Sequence, residues 1–309
     1  MSKVILIAGP TASGKSALSL NLAERFDGEI INADSMQVYD DLQVLTARPS
    51  LAEMQGIPHH LYGFVPPSES YSVARWCEDA IAVAQDILAR GKTVLLVGGT
   101  GLYFKSLLQG LSAVPPIDSA IRSGVRDHLA KNGVGSLYVL LQAEDPVMAD
   151  RLNPADQQRI ARALEVVRST GRSLSAWQED PTDAPIDQLG GDIDLTRLVL
   201  LPDRDWLYAR CDLRFELMLE QGALDEVSLV AELDEALPAM RALGVSHLLS
   251  YMRGGLSLEE ATEKAQTVTR QYAKRQMTWL RNQFSDWNVI KEKESERIIG
   301  SAYNIIINN

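Results

Sequence analysis

Residues 3–20 run from an apolar stretch, KVILIA, through a glycine loop, GPTASGKS, into a helical pattern, and this succession constrains the fold more than any other part of the chain. KVILIA is short, apolar and β-branched, which reads as a buried strand. Ala17, Leu20 and Ala23 then recur at helical spacing. Between them Gly9, Pro10, Thr11, Ala12, Ser13, Gly14, Lys15 and Ser16 fit G-x-x-x-x-G-K-[ST], a phosphate-binding loop. In this order the backbone N–H groups of Ala12 to Lys15 and the helix N-terminus face an anion. Lys15 adds a point charge, and Ser16 can ligate Mg²⁺. The expected fold class is α/β: a P-loop NTPase-like parallel sheet flanked by helices. The motif leaves open whether the loop holds the triphosphate of ATP or GTP or a different phosphorylated substrate.

The rest of the first third keeps this rhythm. GEIINAD (Gly28 to Asp34) and KTVLLVGGT (Lys92 to Thr100) predict two further strands. SVARWCEDAIAVAQDILARG (Ser72 to Gly91) predicts a helix stopped by its glycine. Val114-Pro115-Pro116 breaks the alternation, and the pattern beyond it is mostly helical. In NPADQQRIARALEVVRSTG, Asn153 is the expected N-cap, Pro154 the first helical residue and Gly171 the stop, with Ile160, Leu164 and Val167 as an apolar stripe. Gln178 to Asp194 holds six carboxylates and no basic residue, which predicts a mobile or solvated loop. LTRLVLL (Leu195 to Leu201) resumes strand character. The expected organisation is a P-loop core over 1–115 and 195–309, with a helical insertion over 116–194.

Composition bears mainly on partners. A formal net charge of −11 on 309 residues argues, as a total, against nucleic acid. The distribution argues otherwise. Leu258 to Arg281 predicts one long helix, and its last part, from Lys264, holds five basic side chains and no acidic one. Arg270, Lys274 and Arg281 share one stripe; Val268, Tyr272 and Trp279 share another. DWNVIKEK predicts a last strand. Cys77 and Cys211 form no framework and read as reduced, buried thiols. With no long apolar run and no signal-peptide pattern, neither a membrane span nor secretion is expected, and the expected location is cytoplasmic.

A nucleotide hydrolase of this class places a Mg²⁺-binding Asp after an apolar strand. Here TVLLV ends in Gly98, Gly99, Thr100 and Gly101 instead, which suits close approach of a ligand to the backbone. There is no N-K-x-D to read guanine. The carboxylate follows the second strand: Asp34, in ADSMQVY, at the edge where doubly wound sheets bind ligands. It would serve as a Mg²⁺ ligand, a base for a nucleophile, or a helix N-cap. His59 and His60 are adjacent and without a third ligand, so packing or hydrogen bonding is expected of them rather than metal binding.

GPTASGKS, INADSMQVY, TARP (Thr46 to Pro49), PHHL (Pro58 to Leu61), YSVARW and LLVGGTGLYF occur in one order, followed by DQQRIARALEVVRSTG and AKRQMTWLR. This set resembles the tRNA dimethylallyltransferase (tRNA isopentenyltransferase) family from residue 4 to about residue 281. Without the zinc-binding extension of the eukaryotic kind, the likeness is to the bacterial type. Arg48 stands where Lys is frequent in that family, and Arg75 differs from the usual acidic or small residue.

The resemblance implies transfer of a five-carbon group from dimethylallyl diphosphate to N6 of adenine 37 in the tRNA anticodon loop. Residues 9–16 would then cradle a diphosphate that leaves, with Mg²⁺ as cofactor. Asp34 would deprotonate N6, and Thr100 would position the substrates from the opposite side. One of Arg210 and Arg214, with Arg214 favoured, would reach the diphosphate. A stacked adenine must be extruded to react, and Asp34, Ser35, Met36 and Gln37 would meet it. Gln158, Arg159, Ile160, Ala161 and Arg162 would read neighbouring bases, with Arg122 nearby, and Lys274, Arg275 and Arg281 would contact the RNA backbone. The expected partners are the anticodon stem-loop and dimethylallyl diphosphate, with the protein a monomer. The competing readings are the same chemistry on free adenine nucleotides, a small-molecule P-loop kinase, and an RNA-binding protein with a decayed loop. An acceptor as small as a nucleotide needs neither the insertion nor the basic helix.

Overall fold

Val4, Ile5, Leu6 and Ile7 are fully buried, because the strand they form, β1 (Ser2–Ala8), lies inside a parallel sheet with both faces covered. The computed structural model describes residues 2–308. The phosphate loop leads from β1 into α1 (Lys15–Arg25), whose N-cap, Gly14, is left-handed at φ 94°. β2 (Gly28–Asn32) follows, two residues shorter than the pattern suggested. A two-residue strand that periodicity is too short to reveal, β3 (His59–His60), pairs beside it. α2 (Val73–Ala89) starts at Ser72, whose side chain accepts the Arg75 N–H. β4 (Thr93–Gly98) and α3 (Gly101–Gln109) come next.

Four helices follow: α4 (Ser119–Glu144), α5 (Pro146–Arg151), α6 (Gln157–Thr170) and α7 (Leu174–Gln178). The chain then returns to the sheet with β5 (Ile193–Leu200), and continues through α8 (Arg204–Glu220), α9 (Ala223–Val230), α10 (Val245–Met252) and α11 (Leu258–Gln283). β6 (Asn288–Ile290) and α12 (Ser295–Ile307) complete the order. No helix among the described residues is long and apolar enough to cross a membrane.

All six strands are parallel, in the order β3-β2-β4-β1-β5-β6. The pairings Ala8 with Gly98 and Asn32 with Val97 bring the C-terminal ends of β1, β4 and β2 to one level. The loops after these strands therefore share the edge where such sheets bind ligands. Helix α1 covers one face through Leu18, Leu22 and Ala23, which pack with Ile5, Ile7, Ile298 and Ile306.

The chain divides into two units, Met1–Leu108 with Pro185–Asn309, and Gln109–Ala184. The second is helical and has its own core of Val125, Leu137, Leu141, Met148, Leu152, Ile160 and Leu164. Its limits differ from the expected 116–194 at both ends. At the first end, Gly110 and Leu111 already belong with Thr182, whose N–H and Oγ1 bond Leu111. At the second, residues 185–194 leave the insertion. Pro185–Leu189 forms a short 3-10 helix beside α2, where Gln85 Nε2 donates to Gln188 O at 2.9 Å, and Ile193 opens β5. The acidic stretch is thus not a free loop: its backbone packs, and although Asp183, Asp187 and Asp192 are exposed, Asp194 is half-buried and paired to Lys3. Asn153 does not cap α6 either: it closes a turn onto Ala155 N–H, and Asp156 takes the Arg159 N–H as the true N-cap. Gly171 ends the helix as expected, left-handed at φ 68°.

Candidate active site

The site begins with hydrogen-bond donors that the fold leaves free. Among the described residues the N–H groups of Ala12, Gly14, Lys15 and Ser16 have no acceptor. Ser13 N–H reaches Pro10 O at 3.4 Å, and Thr11 N–H is taken by the Gln276 side chain at 2.8 Å. Four unpaired amides at a helix start make an anion cradle. It opens into a cavity of about 510 Å³ lined by Thr11 to Ala17, Asp34, Gln37, Tyr62, Arg210 and Arg214, among others. Lys15 Nζ donates to Pro10 O at 2.8 Å. Burial pushes its pKa down to about 8, with the Arg214 charge adding to the fall and Asp34 opposing it. The Ser16 hydroxyl has no partner among the described residues.

Both arginines come from α8. Arg214 is largely buried and bonds the Thr11 hydroxyl; Arg210 is exposed, donates from Nε to Ala12 O at 2.9 Å and lies over Trp206. Desolvation lowers the Arg214 pKa from its usual range. Both therefore grip the cradle, with Arg214 at its floor and Arg210 at its rim.

Asp34 stands two residues beyond the end of β2. Asn32 holds it there. Asn32 Oδ1 accepts the Asp34 N–H at 2.8 Å, Asn32 Nδ2 donates to Asp34 O and Leu61 O, and Asn32 O takes the Trp76 indole N–H at 2.7 Å. Asp34 Oδ1 accepts the Met36 N–H at 3.0 Å in a local turn. No helix follows, so the carboxylate is not a helix N-cap. Its Oδ2 has no donor among the described residues. Tyr62, Tyr103 and Tyr272 surround it; burial first, and the Asp34 charge second, raises all three phenols. The glycine turn after β4 completes the wall. A Cβ on Gly98 would lie 2.0 Å from Ala33 O, so only glycine lets the two strand ends meet.

The remaining expected residues separate into groups. Thr100 Oγ1 accepts the Ser35 N–H at 2.9 Å and contacts its hydroxyl at 3.3 Å, so its first task is to hold the loop after Asp34. Gln37 spends both amide protons on Thr46 O and Ala47 O, at 2.9 Å each, which leaves only its Oε1 for a ligand. Gln158, Arg159 and Arg122 are exposed on the second unit, Ala161 and Arg162 are partly so, and Arg159 and Arg162 make ion pairs to Asp156 and Glu165. Ile160 is fully buried in the core of that unit and does not present a side chain to a base. On α11, Lys274, Arg275 and Arg281 are exposed with no carboxylate partner among the described residues. Arg270, expected alongside them, is instead paired to Asp212 at 2.5 Å. Each histidine makes the hydrogen bond expected of it: His59 bonds Ile57 O and His60 bonds Glu29. Both cysteines are free and buried.

Two features escaped sequence reasoning. Gln276 is buried on the apolar stripe of α11, between Ala273 and Leu280, and its amide reaches the phosphate loop. A polar residue on an apolar stripe was the available signal. Glu226 of α9 accepts three backbone N–H groups, from Gln43, Val44 and Leu45 at 2.6–3.0 Å, and anchors the loop that carries Thr46 and Ala47 to the cavity. Nothing in the sequence near Glu226 points to that loop.

An all-parallel sheet with a phosphate loop, two arginines and one free carboxylate oxygen at a common edge defines a P-loop NTPase-like protein whose anion cradle faces a carboxylate. Comparison with known proteins narrows the class. A family described as IPP transferase matches residues 37–283, and one described as isopentenyl transferase matches residues 2–62. The chain is 50% identical over 296 residues to a tRNA dimethylallyltransferase of Nitrobacter hamburgensis, covering 94% of this chain and 92% of that protein. It is 51% identical over 284 residues to one from Rhodospirillum centenum, covering 91% and 89%. The crystal structure of the tRNA isopentenylpyrophosphate transferase from Bacillus halodurans superposes with a TM-score of 0.70 at 32% identity, over 100% of this chain and 96% of that one. A eukaryotic dimethylallyltransferase acting on tRNA gives 0.78 at 30% identity, over 100% and 80%. The chain belongs to the tRNA dimethylallyltransferase family.

Proposed function

We propose that this protein transfers the dimethylallyl group of dimethylallyl diphosphate to N6 of adenine 37 in the anticodon loop of tRNA, as a cytoplasmic monomer. The observation that carries the reading is the single cavity in which the free amides of the phosphate loop, Lys15 and Arg214 lie across from Asp34. In the reaction the allylic C1–O bond breaks and its electron pair leaves with the diphosphate, while the N6 lone pair forms the N6–C1 bond. N6 gives up one proton. The free Asp34 Oδ2 accepts it, while Oδ1 stays tied to Met36 N–H and keeps the carboxylate oriented. The amides of Ala12, Gly14, Lys15 and Ser16, with the Lys15 and Arg214 charges, stabilise the leaving diphosphate without reorganising.

The residues present suit Mg²⁺. The Ser16 hydroxyl, unpartnered among the described residues, stands at the start of α1 beside the free amides, and Mg²⁺ takes most of its ligands from phosphate oxygens and water. The Ser16 hydroxyl would hold it. When bound, the ion neutralises charge on the leaving group. Lys274, Arg275 and Arg281 on one unit, and Arg122, Gln158, Arg159 and Arg162 on the other, are the exposed groups that would meet RNA. That exposed basic set favours an RNA acceptor over a free adenine nucleotide.

The test is single-turnover transfer to an unmodified anticodon stem-loop, read as N6-isopentenyladenosine by mass spectrometry, over a range of Mg²⁺. Asp34→Asn keeps the shape and the hydrogen bond from Met36. It should bind both substrates within a few-fold of wild type and lose about 10²–10⁴ in rate. Near-normal turnover of the variant, or its full rescue by metal, removes Asp34 from this role. Phosphoryl transfer from ATP in place of prenyl transfer would replace the reading with that of a kinase.

A further inference from the structure

The basic helix α11 reaches the phosphate loop through one buried side chain. Gln276 is 7% exposed. Its Oε1 accepts the Thr11 N–H at 2.8 Å, and its Nε2 donates to Gly99 O at 2.9 Å. Each bond is made to backbone of a different functional loop. Thr11 opens the cradle, and its hydroxyl bonds Arg214. Gly99 precedes Thr100, whose hydroxyl holds Ser35, the neighbour of Asp34. The fit is close: a Cβ on Gly99 would lie 2.4 Å from Gln276 Nε2 and 3.3 Å from Asp34 Oδ2. One primary amide thus joins the loop that would hold the leaving group to the turn that orients the base. A primary amide offers an acceptor and a donor side by side without charge at any pH, whereas a carboxyl does so only when protonated.

We propose that Gln276 is a positioning residue for the transfer reaction, fixing the distance between the phosphate loop and the Thr100–Asp34 wall. The inference rests on the transferase reading for its catalytic consequence, though not for its effect on the cradle. Lys274 and Arg275 are exposed and immediately precede Gln276 on α11. The helix face offered to RNA and the amide that sets the cradle are therefore one rigid element. Displacing reacting atoms by about 1 Å costs on the order of 10²-fold in rate, so losing this brace should act on the chemical step more than on RNA affinity.

Two variants test it. Gln276→Met fills the space without either hydrogen bond. It should melt within a few degrees of wild type and bind tRNA within about twofold. It should bind inorganic diphosphate several-fold more weakly, and transfer about 10–100-fold more slowly at saturating substrates. Gln276→Glu keeps the acceptor for Thr11 but, when ionised, repels Gly99 O; protonated, it regains a donor there. A buried carboxyl facing a carbonyl titrates above its ordinary range. The ratio of Gln276→Glu to wild-type single-turnover rates should therefore rise at least about fivefold from pH 8 to pH 6. Wild-type rates for both variants, or a flat ratio across pH, would overturn the proposal, and the flat ratio does so even where the Met variant does not fold. A wild-type chain that binds diphosphate yet prenylates no RNA overturns the transferase reading instead. The diphosphate affinities of wild type and Gln276→Met then decide the bracing role by themselves.

Discussion

Lys15 offers the most quantitative test of the cradle. In the free protein burial lowers the pKa of its ammonium to about 8 from an ordinary 10.5, with Asp34 opposing the fall and Arg214 adding to it. Lys15 is charged below pH 8 and neutral above it. A bound diphosphate restores the charge, because an anion against the ammonium favours the protonated form. Affinity for diphosphate is therefore full below pH 8 and falls as pH rises through it. With a free pKa of 8 and a bound pKa of 10.5 or more, the protonated fraction drops from about 0.9 at pH 7 to about 0.1 at pH 9, a loss of about tenfold in affinity, or ~1.4 kcal/mol. The perturbation is Lys15→Arg, which stays charged at every pH used. The assay is calorimetric binding of inorganic diphosphate at pH 7 and pH 9 to both proteins. Diphosphate's own ionisations are common to both and cancel in the ratio. The wild-type affinity relative to the arginine variant should decline about tenfold between the two pH values. Parallel curves would refute both the low pKa and the place given to Lys15 in the cavity.

Other expectations follow from neighbouring parts of the structure. Replacing Lys274 and Arg281 by Ala together should weaken tRNA binding and lower its dependence on salt by roughly two units of slope, whereas Arg270→Ala, which removes the Asp212 partner, should leave that slope unchanged; affinity across a salt series decides. Glu226→Gln removes the charge from three backbone N–H bonds, so it should destabilise the fold by about 1–3 kcal/mol and raise the donor KM while sparing tRNA affinity, as read by urea unfolding and steady-state kinetics. Glu29 is held down to about 2 by Arg90 above all and by His60, so its stabilisation is present above pH 4.5 and lost as pH falls towards 2. Glu29→Gln should lower the urea midpoint at pH 7, and the gap to wild type should close over that acid range.

Eight consecutive residues, Gly9 to Ser16, were enough to read the phosphate loop, because its chemistry is local: the amides, the lysine and the hydroxyl belong to one turn between a strand and a helix. The apolar runs that became β1 and β4 were legible for a similar reason, since burial on both faces leaves no polar alternation. Asp34 was legible as the carboxylate of the site, but not the division of labour between its oxygens, which depends on where Met36 N–H falls. Other assignments turned on contacts between segments far apart in the chain. Ile160 and Arg162 occupy one short motif, yet packing of the second unit buries the first and leaves the second partly exposed. Arg270 and Lys274 lie on one basic stripe, yet Asp212 of a different helix claims only Arg270. Gln37, Glu226 and Gln276 each serve backbone groups that sequence alone does not pair with them. The sequence by itself therefore determined the class of protein and the place of its phosphate-loop motif between a strand and a helix. Tertiary structure decided which side chains remain free to meet a substrate and which are consumed in holding the site, because a backbone donor or acceptor takes its partner only after distant segments have packed together.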